Sequence, residues 1–140
     1  MISAIVYDVG RVEHHAIETE SDLRAAREAP GTTWVRVSAP TPDEERMVAE
    51  AFSLHPLEME DVRGDVRPKS EEFEGHTFVL VKTVALERGE TTFDEEIRTQ
   101  PIGLFLGNDW LVTVTAEDGY VAVVSDVWQS VENQEGRTLK

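Results

Sequence analysis

The chain of 140 residues contains no cysteine, which excludes a disulfide framework and cysteine-based zinc or redox chemistry. It also lacks an uninterrupted apolar run of about 20 residues, the length that a helix needs to cross a bilayer. Its most apolar stretch, residues 101–116, is broken by Gly107, Asn108 and Asp109. The first residues do not form a basic region followed by a long apolar run, so no secretory signal is indicated. The sequence therefore predicts a soluble, intracellular chain.

Lysine is scarce as well: three lysines and ten arginines stand against 28 acidic residues, and the formal net charge is -15. A field of this sign repels nucleic acid and anionic membrane surfaces and attracts cations. The acidic residues are spread along the whole chain, which favours a surface adapted to molar salt over one specific acidic site. We therefore expect a halophilic protein, in which an acidic cluster indicates function only if its position is also specific.

The length and an apolar content of 40% indicate a single folded domain, residues 1–140. Apolar periodicity and turn signals predict strands at 2–8, 12–17, 32–39, 77–86, 98–107 and 109–115. Helices are predicted within 19–29, 42–54 and 117–132, with a further short helix opened by His-Pro at 55–56. The second begins with Thr41 before it and Pro42 at its first position, and Thr19 or Ser21 is expected to cap the first. Because helices fall between strands in a mixed order, we expect an α/β (α+β) domain, a mixed β-sheet covered by helices on both faces.

The four histidines are the first candidates for catalysis, and their positions argue against it. His14 and His15 are adjacent in a strand and point to opposite faces. His55 stands where it can cap the short helix, and His76 leads into a long strand. No serine or acid lies at a known motif spacing from any of them, and phosphate-binding, dinucleotide-binding and metalloprotease motifs are lacking. We predict that the chain is not an enzyme.

The short helix is unusually acidic. Four carboxylates lie within eight residues: Glu58, Glu60, Asp61 and Asp65. Glu58, Asp61 and Asp65 are spaced i, i+3, i+7 and share one helix face, where like charges cost a few tenths of a kcal/mol per pair. Oxygen ligands without cysteine or histidine suit Mg²⁺ or Ca²⁺. Spacing alone leaves two interpretations open, a metal site and a solvated acidic face, and it favours the second.

The order of several motifs is more specific. An aromatic residue and His-Pro-Leu precede Glu-Asp, and Arg-Pro-Lys and an acidic-aromatic pair follow before a long strand. The residues concerned are Phe52, Leu54, His55, Pro56, Leu57, Glu60, Asp61, Arg67, Pro68, Lys69, Glu72 and Phe73. This pattern resembles the cytoplasmic N-terminal domain of CorA-type magnesium transporters, and the likeness covers about residues 30–135. Three departures are Ser53 in place of the usual glycine, Val66 in place of glutamine, and His76 where an aromatic is common.

The resemblance implies a CorA soluble-domain-like fold on the cytoplasmic side of the cell membrane. The family's stalk helix, two transmembrane helices and Gly-Met-Asn motif are missing from this sequence, so we expect a regulatory domain cut from a longer membrane protein. In such transporters five subunits assemble and Mg²⁺ lies between neighbouring cytoplasmic domains. By resemblance, Asp61 is a metal ligand with Glu60 nearby, and the neighbouring subunit's stalk supplies the rest.

The implied function is therefore divalent-cation sensing that gates the transmembrane transport of Mg²⁺, with Co²⁺ or another divalent ion as further candidates for the site. The resemblance gives structural roles to the other motif residues: His55, Pro56, Leu57, Arg67, Pro68 and Lys69. The isolated domain is expected to be a monomer or dimer without nucleic-acid partners. The alternative is a free-standing soluble α/β interaction domain that has the same fold and no transport role.

Overall fold

The computed structural model describes residues 1–64, 67–88, 95–116 and 122–133. Within these ranges the strands are β1 (Ile2–Asp8), β2 (Arg11–Ala16), β3 (Thr32–Ser38), β4 (Lys69–Phe73), β5 (His76–Arg88), β6 (Glu95–Leu106) and β7 (Trp110–Thr115). The helices are α1 (Glu20–Glu28), α2 (Pro42–Phe52), α3 (Pro56–Arg63) and α4 (Ala122–Glu132). None of these four helices combines the length and the apolar character needed to span a bilayer.

The strands form one mixed sheet in the order β2-β1-β3-β7-β6-β5-β4. At its centre β3 and β7 run parallel, whereas every other neighbouring pair is antiparallel. Beside this parallel pair, the Trp34 indole N–H donates to the Thr113 hydroxyl across 3.0 Å. The predicted mixed sheet is confirmed.

The helices cover both faces of the sheet. Successive residues of β3 point to opposite faces, and Val35 and Val37 join one apolar core while Trp34 joins another. The first core receives fully buried side chains from three helices: Leu23 of α1, Val48 of α2 and Val62 of α3. On the opposite face, Trp128 of α4 packs edge-on against Trp34 with ring centroids 4.9 Å apart. This arrangement confirms the predicted α+β architecture.

Local sequence explains where the helices begin and end. Thr19 and Thr41 accept hydrogen bonds from the third backbone N–H of α1 and α2, and an acid at that third position bonds back to each threonine N–H. Ser53 follows α2 with φ of 56°, in the left-handed region. That conformation favours glycine, so it gives a physical reason for glycine at this position in the family pattern.

One strand was not predicted, and the start of one helix is not described. Strand β4 was not predicted, because its sequence Lys-Ser-Glu-Glu-Phe shows no apolar alternation and it occupies an edge of the sheet. The last helix was predicted over residues 117–132; it is described from Ala122 to Glu132, and residues 117–121 lie outside the described ranges.

Candidate functional site

The acidic helix α3 is fixed at its first turn by His55 and Pro56. Proline at the first helical position needs no hydrogen-bond partner for a backbone N–H. The Leu57 backbone N–H donates to Nδ1 of His55 across 3.1 Å. This confirms the prediction that the His55 side chain, which is exposed, caps the helix.

Glu58 does not lie on the solvated acidic face that was predicted for α3. Its residue surface is 3% exposed, and both carboxylate oxygens are bonded. Oε1 accepts a hydrogen bond from the His55 backbone N–H at 3.0 Å, and Oε2 lies 2.9 Å from Nε2 of His76. The prediction that Glu58 shares a solvated face with the other acids is therefore wrong, because the helix buries this side chain against the sheet.

The His76 ring that contacts Glu58 lies within a group of aromatic rings. Its imidazole stacks on Phe73 at a centroid distance of 5.2 Å, and it lies 6.2 Å from Phe105 and 6.1 Å from Trp110. An aromatic residue at this position could make the ring contacts, and histidine adds the bond to Glu58. His76 thus joins α3 to the sheet and has a structural role.

Asp61 has a counter-ion that the helix sequence does not reveal. The Lys69 ammonium on β4 lies 2.6 Å from Oδ2 of Asp61 and 2.5 Å from Oε1 of Glu71. Two hydrogen bonds raise the pKa of Lys69 above its ordinary value; the bond to Asp61 has the larger effect and the bond to Glu71 the smaller. The side chains of Asp61 and Lys69 are 28% and 32% exposed, so water reaches this ion pair.

Arg63, the basic residue of α3, contacts α2. Arg63 pairs with Glu45 of α2 at 3.1 Å. The two side chains border a groove of about 360 Å³ between α2 and α3, whose apolar lining includes Leu54 and Met59. Consequently Arg63 ties the two helices together and does not neutralise Asp61.

Glu60 is exposed, and its carboxylate has no hydrogen-bond or ion-pair partner among the described residues. Asp65, the fourth predicted carboxylate, lies outside the described residues. No group of three or more histidine and acidic side chains in the described ranges could hold a metal ion. Carboxylate oxygens such as those of Glu60 and Asp61 are the donors that a hard cation such as Mg²⁺ takes, and Mg²⁺ commonly keeps several waters and uses one or two carboxylates.

The other motif residues lie around this site. Arg67 and Pro68 are exposed between α3 and β4, and Leu57 is 59% exposed on the first turn of α3. Lys69 begins β4 and is half-buried. The Arg-Pro-Lys sequence therefore leads into the edge strand β4, and its lysine side chain contacts Asp61 of α3.

The model of the family described as "CorA-like Mg2+ transporter protein" matches residues 30–140. The chain belongs to the CorA-like family. Magnesium transporter ALR1 of Saccharomyces cerevisiae is 40% identical over 67 residues, which are 47% of this chain and 8% of that protein. Magnesium transporter ALR2 of the same yeast is 36% identical over 76 residues, 54% of this chain and 8% of that protein. The chain thus matches less than a tenth of the length of these curated relatives.

Two solved structures share the fold. The soluble domain of CorA from Methanocaldococcus jannaschii superposes with a TM-score of 0.65 at 15% identity, covering 99% of this chain and 49% of that one. The ZntB cytoplasmic domain from Vibrio parahaemolyticus gives 0.64 at 9% identity, covering 96% and 50%. The predicted CorA soluble-domain fold is confirmed. Because the family is one of transporters and not of enzymes, the prediction that the chain is not an enzyme is also confirmed.

Proposed function

We propose that this chain is the cytoplasmic, divalent-cation-sensing domain of a CorA-type Mg²⁺ transporter. Its membership of the family and the agreement of its fold with the CorA soluble domain support a role in magnesium transport. One observation carries the sensing role: Glu60 and Asp61 keep water-accessible carboxylates on a helix whose remaining acid, Glu58, is buried. Membrane insertion and the pore belong to other parts of the full-length protein.

The helix presents these two carboxylates in a fixed orientation. The His55 cap, the bond between Glu58 and His76, and the pair of Arg63 with Glu45 hold α3 against the sheet and α2. Glu60 and Asp61 supply only part of a coordination shell, so a neighbouring subunit and water would complete it. A homo-oligomer, a pentamer by resemblance to CorA, brings such neighbours together.

Ordinary linkage relates such a site to gating. Carboxylates of neighbouring domains repel one another, and a divalent ion between them favours the arrangement in which they lie close. A ligand shifts a conformational equilibrium by no more than its difference in affinity for the two states. Couplings of this kind are typically about 1–3 kcal/mol, a change of roughly 5- to 150-fold in affinity.

The substitution Asp61→Asn in the full-length transporter tests the sensing role. It removes a charge and leaves the shape of the side chain, so we expect closure to need at least about fivefold more Mg²⁺, the lower end of typical couplings. The measurement is the Mg²⁺ dependence of ion flux in liposomes. The matched control is Glu28→Gln, which removes one exposed acid of α1. Unchanged closure in Asp61→Asn would assign sensing to other residues.

The gene beyond the codon for Lys140 distinguishes this proposal from a free-standing interaction domain. A long charged helix and two hydrophobic spans with Gly-Met-Asn are expected there. A stop codon at that position would favour the free-standing domain and would leave Asp61 without a transport role.

A further inference from the structure

Lys69 places a positive charge where the proposed sensor would bind a cation. Its ammonium contacts Oδ2 of Asp61 at 2.6 Å and Oε1 of Glu71 at 2.5 Å. The three residues come from two elements, since Asp61 lies in α3 whereas Lys69 and Glu71 lie in β4. The helix carboxylate therefore already has a cationic partner from the same chain.

We infer that Lys69 is a tethered counter-ion that competes with divalent cations for Asp61 and so sets the concentration to which the sensor responds. This inference rests on the proposed function, because it assigns a further residue to the regulation of the same site. Lys69 does not coordinate a metal, and it acts through the availability of the Asp61 carboxylate.

Elementary electrostatics makes the two cations exclusive. An ammonium is a compact point charge, and the Lys69 ammonium occupies Oδ2 of Asp61, one of the two oxygens that a hard cation takes from this carboxylate. A divalent ion bound at Asp61 would also repel an ammonium a few ångströms away. Binding of a divalent ion is therefore favoured when the Lys69 ammonium leaves Asp61.

Glu71 gives the ammonium a second partner. When Lys69 leaves Asp61, it can keep its contact with Glu71 on its own strand and need not become fully solvated without a counter-ion. Glu71 thereby lowers the free energy needed to release Asp61. This predicts opposite signs for two substitutions: loss of the Lys69 charge should strengthen divalent-ion binding, and loss of the Glu71 charge should weaken it.

A purely structural role is the competing explanation. The ion pair between Asp61 and Lys69 connects edge strand β4 to α3. If this connection were its only role, removing it would change the free energy of unfolding without changing the affinity for cations. Binding measurements separate these roles. The two probes are isothermal titration of the 140-residue chain with Mg²⁺ at constant ionic strength, and broadening of the Glu60 and Asp61 amide resonances by Mn²⁺.

Lys69→Met keeps the aliphatic stem and removes the charge. We expect binding about two- to fivefold tighter than in the wild type, since solvent-accessible ion pairs contribute modest free energies. The control is Arg67→Met, which removes an exposed positive charge two residues away that has no partner among the described residues. Equal affinities for the two variants would overturn the inference.

Glu71→Gln tests the opposite sign. We expect it to bind more weakly than Glu72→Gln, the matched control on the same strand, whose carboxylate is exposed and unpaired among the described residues. In a Lys69→Met background the two glutamine variants should bind equally, because no ammonium remains to be released. If circular dichroism shows that Lys69→Met does not fold, the comparison of Glu71→Gln with Glu72→Gln decides alone, and equal affinities would overturn the inference.

Asp61→Asn distinguishes a failure of the inference from a failure of the proposed function. One outcome is that this variant binds Mg²⁺ like the wild type and that Mn²⁺ does not broaden the Asp61 amide resonance of the wild type. The site then lies elsewhere, and both the inference and the proposed function fail. If Asp61→Asn weakens binding while Lys69→Met matches Arg67→Met, only the competition by Lys69 is overturned.

Discussion

A single carboxylate, that of Glu58, connects the start of α3 to the first residue of β5. One of its oxygens accepts from the His55 backbone N–H and the other lies 2.9 Å from the His76 ring. Since these groups are buried or partly buried, removal of the carboxylate would leave polar atoms without partners. Glu58 therefore orients α3 and is not a ligand that the helix offers to solvent.

Glu58→Ala should lower the free energy of unfolding by about 2–4 kcal/mol, because each buried polar group left unsatisfied costs roughly 1–3 kcal/mol. Urea unfolding followed by circular dichroism measures the change. Glu60→Ala is the matched control, and as a surface substitution it should stay within about 0.5 kcal/mol of the wild type. Similar losses in the two variants would contradict the structural role of Glu58.

The sequence predicted some of these residue roles and missed others for a physical reason. His55 acts on its own helix turn, so spacing alone predicted its cap. The partners of Glu58 and Asp61 come from β5 and β4, and helical spacing contains no information about contacts between elements. For this reason the sequence placed Glu58 on a solvated face and did not reveal that Lys69 neutralises Asp61.

Strand β6 has a glycine where α3 crosses it. A Cβ atom added at Gly103 would lie 2.5 Å from Cγ2 of Val62, a fully buried residue of α3. The close approach of helix and strand therefore depends on the missing side chain. A larger residue at this position would move the element that carries Glu60 and Asp61.

Gly103→Ala should destabilise the fold by about 1–3 kcal/mol, the usual range for overpacking a core. The double variant with Val62→Ala removes the clashing methyl group and should be more stable than the sum of the two single changes predicts. Thermal or urea unfolding of all four proteins gives this coupling. Simple additivity would show that α3 and β6 have room to adjust.

Elements with strong local signals were predictable, and the weak ones were not. The capping threonines and the proline of α2 fixed two helix starts, and alternating or continuous apolar residues indicated β1, β3 and β7. Among the described residues, β4 pairs with β5 alone, at an edge of the sheet, and its sequence carries no apolar pattern. This unpredicted strand supplies Lys69, the neighbour of the site that spacing could not reveal.

The whole molecule carries a net charge of -15, which opposes the compact state through self-repulsion. If these acids serve a salt-rich cytoplasm, the melting temperature should rise steadily as KCl increases towards molar concentrations, because salt screens the repulsion. Calorimetry measures this rise, and sucrose at matched osmolality controls for the general effect of an excluded solute. A melting temperature independent of KCl would argue against salt adaptation, and the acidic surface would then need a functional explanation.

The parallel pairing of β3 with β7 has a consequence for how the chain reaches its fold. Trp34 and Thr113, which bond beside this pair, are 79 residues apart in sequence. During synthesis β1, β2 and β3 are complete long before β7 exists, so the edge of β3 that will carry the parallel ladder stays open meanwhile. Closing so long a loop costs entropy before its contacts compensate. The pairing of β3 with β7 thus joins the strands that are synthesised first to those that are synthesised later.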